Sequence, residues 1–127
     1  FETMKVAALI QKWKTRDPTA LSAQEVLDMA TIEGARAAGL EKQLGTIEKG
    51  KKADLVVIDF RKPHLTPLHN PVSHLVYSCK ASDIEIVMVS GKIVVQNRVL
   101  KTVSEEEVMN GCRKAVEELL EKAGKKV

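Results

Sequence analysis

Leu44-Gly45-Thr46-Ile47-Glu48-Lys49-Gly50-Lys51-Lys52-Ala53-Asp54-Leu55-Val56-Val57-Ile58-Asp59 is where the chain changes its period, and that change decides the fold class. Before it, apolar residues recur at helical spacing; within it they run together as in a strand. Leu44 to Ile47 reads as a short strand. Glu48 to Lys51 reads as a turn, with Gly50 at a position that favours φ > 0. Ala53 to Asp59 reads as a buried strand bracketed by aspartates. Asp54 and Asp59 are five residues apart, an odd separation that puts them on opposite faces of any unbulged strand. They suit strand ends and turn hydrogen bonds rather than a catalytic pair.

Working outward toward the N-terminus, Phe1 to Lys14 reads as a helix with Val6, Leu9, Ile10 and Trp13 on one face. It ends near Asp17-Pro18, because proline disfavours helix in the residue before it. Ser22-Ala23-Gln24-Glu25 has the form of a capping box opening a second helix, with Val26, Leu27, Met29 and Ala30 as its buried face. Thr31 is placed to cap a short third helix, Ile32 to Ala38, and Gly39 sits where a left-handed C′ residue is wanted. The chain opens at Phe1 rather than at a methionine, inside an amphipathic pattern and with no N-cap to satisfy the first backbone N–H groups. The expectation is that it is the back part of a longer protein.

Toward the C-terminus, Arg61 to Pro71 reads as a proline-punctuated loop, and His74 to Ser78 as an apolar segment whose type the pattern leaves open. Ile84 to Val89, Ser90-Gly91 and Lys92 to Val95 form a hairpin with a tight glycine turn. Gln96-Asn97-Arg98 makes another turn before Val99-Leu100. Ser104-Glu105-Glu106-Glu107 has capping-box form and puts acid at the positive end of a last helix. Val108, Met109, Cys112, Val116, Leu119, Leu120 and Ala123 line one face of that helix, and Gly124 with Lys125 and Lys126 closes it.

Bulk composition narrows the function classes. The chain has 127 residues, 44% hydrophobic and 29% charged, the balance of an ordinary globular domain. Aromatic content of 3% makes the core aliphatic. The net charge is +3, and lysines are scattered beside glutamates with short clusters only at Lys49 to Lys52 and Lys125-Lys126. There is no basic stripe with interleaved aromatics, so nucleic acid is not an expected partner. No apolar run approaches the ~20 residues of a membrane span. Cys79 and Cys112 are far apart and make no CxxC or Cys/His spacing, which suits two reduced, partly buried thiols in a cytoplasmic protein.

Residues with catalytic potential do not assemble a site by themselves. His64, His69 and His74 recur every five residues in a segment rich in proline. No regular element would aim three rings so spaced at one point, so a loop role is preferred to a local metal site. Gly34, Gly39, Gly45 and Gly50 are spread over separate elements and form no phosphate loop. Ser73-His74 and Ser90 form no nucleophile elbow. Glu105, Glu106 and Glu107 are accounted for by the helix dipole. No residue is assigned a catalytic, cofactor-binding or metal-ligating role.

The same residues resemble a family. Leu21 to Leu40 looks like the late-barrel helices of metal-dependent amidohydrolases. Leu44 to Asp59 resembles their GxIexGkxADLvvxD stretch, which leads into a small β-sandwich, and Val87-Met88-Val89-Ser90-Gly91-Lys92 is similar to their VxVxGk hairpin. Pro63-His64-Leu65-Thr66-Pro67-Leu68-His69, with Ser73-His74-Leu75-Val76-Tyr77, looks like the branch of 5′-methylthioadenosine/S-adenosylhomocysteine deaminases and their chlorohydrolase-type relatives. The resemblance covers nearly the whole chain. One departure is Gln96-Asn97-Arg98, where relatives usually carry glycine; asparagine tolerates the same left-handed conformation.

The resemblance implies an α+β fragment in three parts: helices of a (β/α)₈ barrel over 1–43, a segment of a composite β-sandwich over 44–100, and a C-terminal helix over 101–127. It implies a cytoplasmic parent that deaminates purine nucleosides hydrolytically with a divalent metal, zinc foremost. The metal lowers the pKa of water, hydroxide attacks C6 of adenine, a protein acid/base moves the proton, and ammonia leaves. The family's HxH pair, two further histidines and aspartate have no counterpart in these 127 residues, and the aspartate would lie shortly before the helix that begins at Phe1. The segment alone is then inactive. Two other readings stand beside this one. The first is another amidohydrolase activity, on a triazine or on guanine. The second is a non-catalytic oligomerisation module, in which Val6, Leu9, Trp13 and Val26 form an exposed apolar patch and unpaired strands add adhesive edges. A homo-oligomer is expected.

Overall fold

A computed structural model describes residues 1–125. Three helices come first: α1 (Glu2–Thr15), α2 (Ala23–Ala30) and α3 (Ile32–Ala37). Strand β1 (Leu55–Ile58), a 3₁₀ turn at Pro63–Leu65 and helix α4 (Pro71–Tyr77) follow. A second 3₁₀ turn at Ala81–Asp83 leads into β2 (Ile84–Val89), β3 (Lys92–Gln96) and β4 (Val99–Leu100), and α5 (Glu105–Lys122) ends the chain. The four strands form one antiparallel sheet in the order β1-β2-β3-β4. This is the mixed helix-and-sheet class the patterning indicates.

The local signals account for most elements. Ser22 Oγ accepts from the Glu25 N–H while the Glu25 carboxylate accepts from the Ser22 N–H at 2.6 Å, a complete capping box. Gly39 at φ 68° and Gly50 at φ 93° take the left-handed conformations expected of them. The β2–β3 turn has Ser90 and Gly91 at φ 48° and 79°, and the β3–β4 turn has Asn97 and Arg98 at φ 50° and 65°. Two central residues with φ > 0 match the right-handed twist of the strands. Asp54 ties the first of these turns to β1, accepting from the Ser90 N–H at 2.6 Å.

Several expectations fail. Leu44 to Ile47 is not a strand: Gly45 is left-handed at φ 92° and Lys51 Nζ donates to Thr46 Oγ1, so the segment folds on itself beside α3. β1 is shorter than Ala53 to Asp59 and is not buried, with Val56 51% and Val57 44% exposed. Residues after the proline loop form α4, because the Asn70 side chain accepts from the Ser73 N–H and Pro71 occupies the first helical turn, where its missing N–H costs nothing. α3 ends at Ala37, and Thr31 does not cap it; its hydroxyl donates back to Leu27 O at 2.7 Å. At Ser104 only half of the capping box forms, with the Glu107 N–H donating to Oγ. Lys126 lies outside the described residues.

The core is small. Ala8 of α1, Val26 of α2 and Val76 of α4 meet with Met4, Leu21, Ala23 and Tyr77 around them, while Leu65 is buried in its own 3₁₀ turn. α1 therefore packs with its Met4/Ala8 side, aided by Lys12 Nζ, which donates to Ala20 O and Leu21 O. Val6, Leu9, Ile10 and Trp13 of α1 are exposed, in keeping with the apolar patch expected of Val6, Leu9 and Trp13, whereas Met29 and Ala30 of α2, read as part of a buried face, are exposed as well. Val26 was expected in that exposed patch and is buried instead, because its position in α2 faces α1 and α4.

Candidate functional site

The densest polar cluster surrounds Asp83, at the end of the 3₁₀ turn that leads into β2. Its side chain is only 3% exposed. One carboxylate oxygen accepts from His64 Nε2 at 2.9 Å and from the Lys80 N–H at 2.8 Å. Its backbone carbonyl accepts from the Asp59 N–H at 2.9 Å. Burial works against the charge, yet the His64 hydrogen bond, the Lys80 amide and the His64 and Lys62 charges outweigh it and hold the carboxyl below its ordinary range. A carboxylate kept ionised is an acceptor only, so His64 Nε2 carries the proton.

A histidine oriented by a buried carboxylate is half of an acid–base device. The other half is missing here. Among the described residues, Asp83 is the one side-chain hydrogen-bond partner of His64. Cys79 is close enough to feel the Asp83 charge, but burial, with that charge, pushes its thiol up and leaves it protonated. Asp83 instead fastens the turn that carries His64, the end of β1 and the start of β2 into one unit. Sequence reading overlooked it; the available signal was an acid three residues after Lys80, placed to accept from that residue's N–H.

The remaining sequence candidates are dispersed. His74 Nδ1 bonds to Asn70 O within α4, and His64 points to Asp83, so these rings are turned to different partners. No group of three or more His, Cys, Asp or Glu among the described residues is arranged to hold a metal ion. The residues present therefore do not fit a metal centre. Asp54 and Asp59 take the turn roles expected of them. A bulge does interrupt β1 between Val57 and Ile58, but Asp54 bonds Ser90 while Asp59 bonds the Arg61 N–H and Nε. The backbone bond from Arg61, then its side chain and Lys62, bring the Asp59 carboxyl down to about 2. Cys112 is exposed rather than partly buried.

An apolar recess of about 710 Å³ lies between the helices and the sheet, lined by Leu27, Ala35, Leu55, Ile58, Leu75 and Ile84 among others. Together with the exposed face of α1 it is apolar surface of the kind that receives another part of a protein rather than a polar substrate. No described helix is long and apolar enough to cross a membrane.

Comparison with known proteins matches this architecture. The sequence profile of the "Amidohydrolase family" covers residues 1–94. The chain is 47% identical over 123 residues to the 5′-deoxyadenosine deaminase of Methanosarcina acetivorans, covering 97% of this chain and 28% of that protein. It is 46% identical over 113 residues to the 5-methylthioadenosine/S-adenosylhomocysteine deaminase of Syntrophobacter fumaroxidans, covering 89% of this chain and 26% of that one. The crystal structure of an adenosine deaminase from Xanthomonas campestris with bound zinc superposes with a TM-score of 0.86 at 33% identity, covering 91% of this chain and 26% of that one. The chain thus spans about a quarter of the length of the relatives it matches.

Proposed function

The chain belongs to the amidohydrolase family, and from that membership we propose that it is the C-terminal segment of a hydrolytic deaminase of adenine nucleosides. The observation that carries the proposal is the 47% identity over 97% of the chain to a 5′-deoxyadenosine deaminase. Substrates of the class 5′-deoxyadenosine, 5′-methylthioadenosine and S-adenosylhomocysteine follow from the names of these relatives.

In this reading residues 1–43 contribute helices to a (β/α)₈ barrel, 44–100 a segment of a β-sandwich, and 101–127 a terminal helix. A divalent metal, zinc foremost, would supply a water of lowered pKa as nucleophile at neutral pH. It would be held outside this chain, whose own residues do not fit a metal centre. The role of these residues is positional. The exposed Val6, Leu9, Ile10 and Trp13 of α1 and the recess over β1 are the faces that the rest of the barrel covers. The Asp83–His64 fastening keeps the loop between β1 and α4 fixed to the sheet beneath.

The test is a chimera in which these 127 residues replace the matching segment of the Methanosarcina acetivorans enzyme. It is assayed for ammonia release from 5′-deoxyadenosine, 5′-methylthioadenosine, guanine and a triazine, beside the 127-residue chain alone with zinc. The expected outcome is adenine-nucleoside deamination by the chimera and none by the chain. A folded chimera inactive on the nucleosides would count against the proposal, and turnover by the chain alone would refute its inactivity.

A further inference from the structure

A recess of about 780 Å³ lies at the start of α1, between the first turn of that helix and the segment from Tyr77 to Ser82 that joins α4 to the second 3₁₀ turn. Phe1, Glu2 and Thr3 form one wall, and Ser78, Lys80 and Ser82 belong to the other. The helix wall is unfinished. Phe1 stands at the N-cap position without a side-chain cap, and the first helical bond runs from the Lys5 N–H to Phe1 O. The N–H groups of the turn before it are left for acceptors outside the helix.

The facing wall is held at both ends. Val76 and Tyr77 anchor one end at the core, and the Cys79 N–H donates back to His74 O at 2.8 Å. At the other end the buried Asp83 carboxylate accepts from the Lys80 N–H at 2.8 Å and from His64 Nε2 at 2.9 Å. The same carboxylate that receives His64 therefore fixes the backbone of the recess wall.

We propose that Tyr77 to Ser82 is the seat of the loop that enters α1 in the parent enzyme, and that His64 and Asp83 are positioning residues for that loop. In the reading proposed above, on which this rests, the rest of the parent precedes Phe1 and α1 is a barrel helix. Connectivity then selects the occupant. The residue before Phe1 is bonded to its nitrogen, and Phe1 itself lines the recess. Oxygen atoms of that loop are the acceptors that the first turn of α1 lacks, and the Ser78 and Ser82 hydroxyls offer donors from the facing wall. The loop entering a barrel helix lies at the catalytic face. The His64–Asp83 pair thus reaches the chemistry through the loop and touches no substrate.

The experiment is amide hydrogen exchange, read by mass spectrometry, on the full-length parent and its variants. Asp83→Ala should speed exchange in the peptide leading into Phe1 roughly tenfold, as loss of a charged hydrogen-bonded contact implies, while exchange in α2 stays the same. Asp83→Asn keeps an acceptor for the Lys80 N–H and an amide to pair with the His64 ring, so it should restore slow exchange. Lys51→Met breaks a fastening that does not line this recess and should leave the peptide protected. Where Asp83→Ala fails to fold, Ser82→Trp at an exposed position fills the recess and should loosen the same peptide. In nucleoside deamination, kcat should fall roughly tenfold with Asp83→Ala and recover with Asp83→Asn, while KM moves little. Unchanged exchange before Phe1 in the folded variants, equal loosening by Lys51→Met, or a kcat indifferent to Asp83→Ala would overturn the proposal. Exchange is read whether or not the parent deaminates adenine nucleosides, so failure of the deaminase reading is seen separately.

Discussion

Gly45 carries more of the fold than its place in a turn-rich stretch suggests. Its φ of 92° is strained for any side chain, and a Cβ there would lie 2.9 Å from both Ala35 Cβ and Ile32 Cα. The segment after α3 can lie against that helix only because this residue has no side chain. Gly45→Ala should lower unfolding stability by about 2–4 kcal/mol, combining left-handed strain with overpacking. Urea denaturation of the two proteins measures it, and equal midpoints would remove this account. Asp59 gives the residue-scale pH prediction. Its folded carboxyl lies at about 2, below the ordinary value. Its contribution is therefore fully present above the unfolded value near 3.9 and is lost as pH falls through about 2. Asp59→Asn should melt below the parent protein near neutral pH, and the gap should close toward pH 2. A gap that stays constant across that range would mean the charge is not its source.

At the scale of elements, much of the capping and turn chemistry was legible where the responsible residues are close in sequence, although Thr31 and Ser104 did not form the caps expected of them. The Ser22/Glu25 box, the Gly39 and Gly50 conformations and the Ser90-Gly91 hairpin all follow from neighbours a few positions apart. The β3–β4 turn was legible only in half. Asn97 takes the left-handed conformation at little cost, but Arg98 takes it too, at φ 65°, and a long side chain does so less readily than glycine. Arg98→Gly is expected to raise stability by about 1 kcal/mol, observed as an upward shift in thermal midpoint. A lower midpoint would show that the arginine side chain gives more than the turn loses. α4 was obscured because its start is Asn70-Pro71, which resembles loop punctuation until the Asn70 side chain is seen capping the first turn.

The whole molecule is under-packed for its composition. A buried apolar core of Ala8, Val26, Ala35, Leu65, Val76 and Cys79 is small for 127 residues, and larger apolar side chains on α1, β1 and α5 face outward. Each of these elements is amphipathic, so the imbalance comes from partners and not from poor sequence. In the proposed reading the rest of the enzyme covers the α1 and sheet faces. The same geometry explains why these residues assemble no catalytic set. The histidines are each committed by local structure or separated, and Asp83, the buried acid, is engaged in holding three segments together.

Short-range patterns by themselves determined α1, α2, α3 and α5, the hairpin, the turn role of Asp59, and the resemblance to amidohydrolases, because each depends on residues within a few positions or on a contiguous motif. Which face of α1 packs, whether Val26 is buried, and that Asp83 receives His64 nineteen positions away were decided only by the tertiary structure. Helical periodicity identifies an apolar stripe but not its partner. Both stripes of α1 satisfy the pattern, and only the arrival of α2 and α4 on the Met4/Ala8 side selects between them.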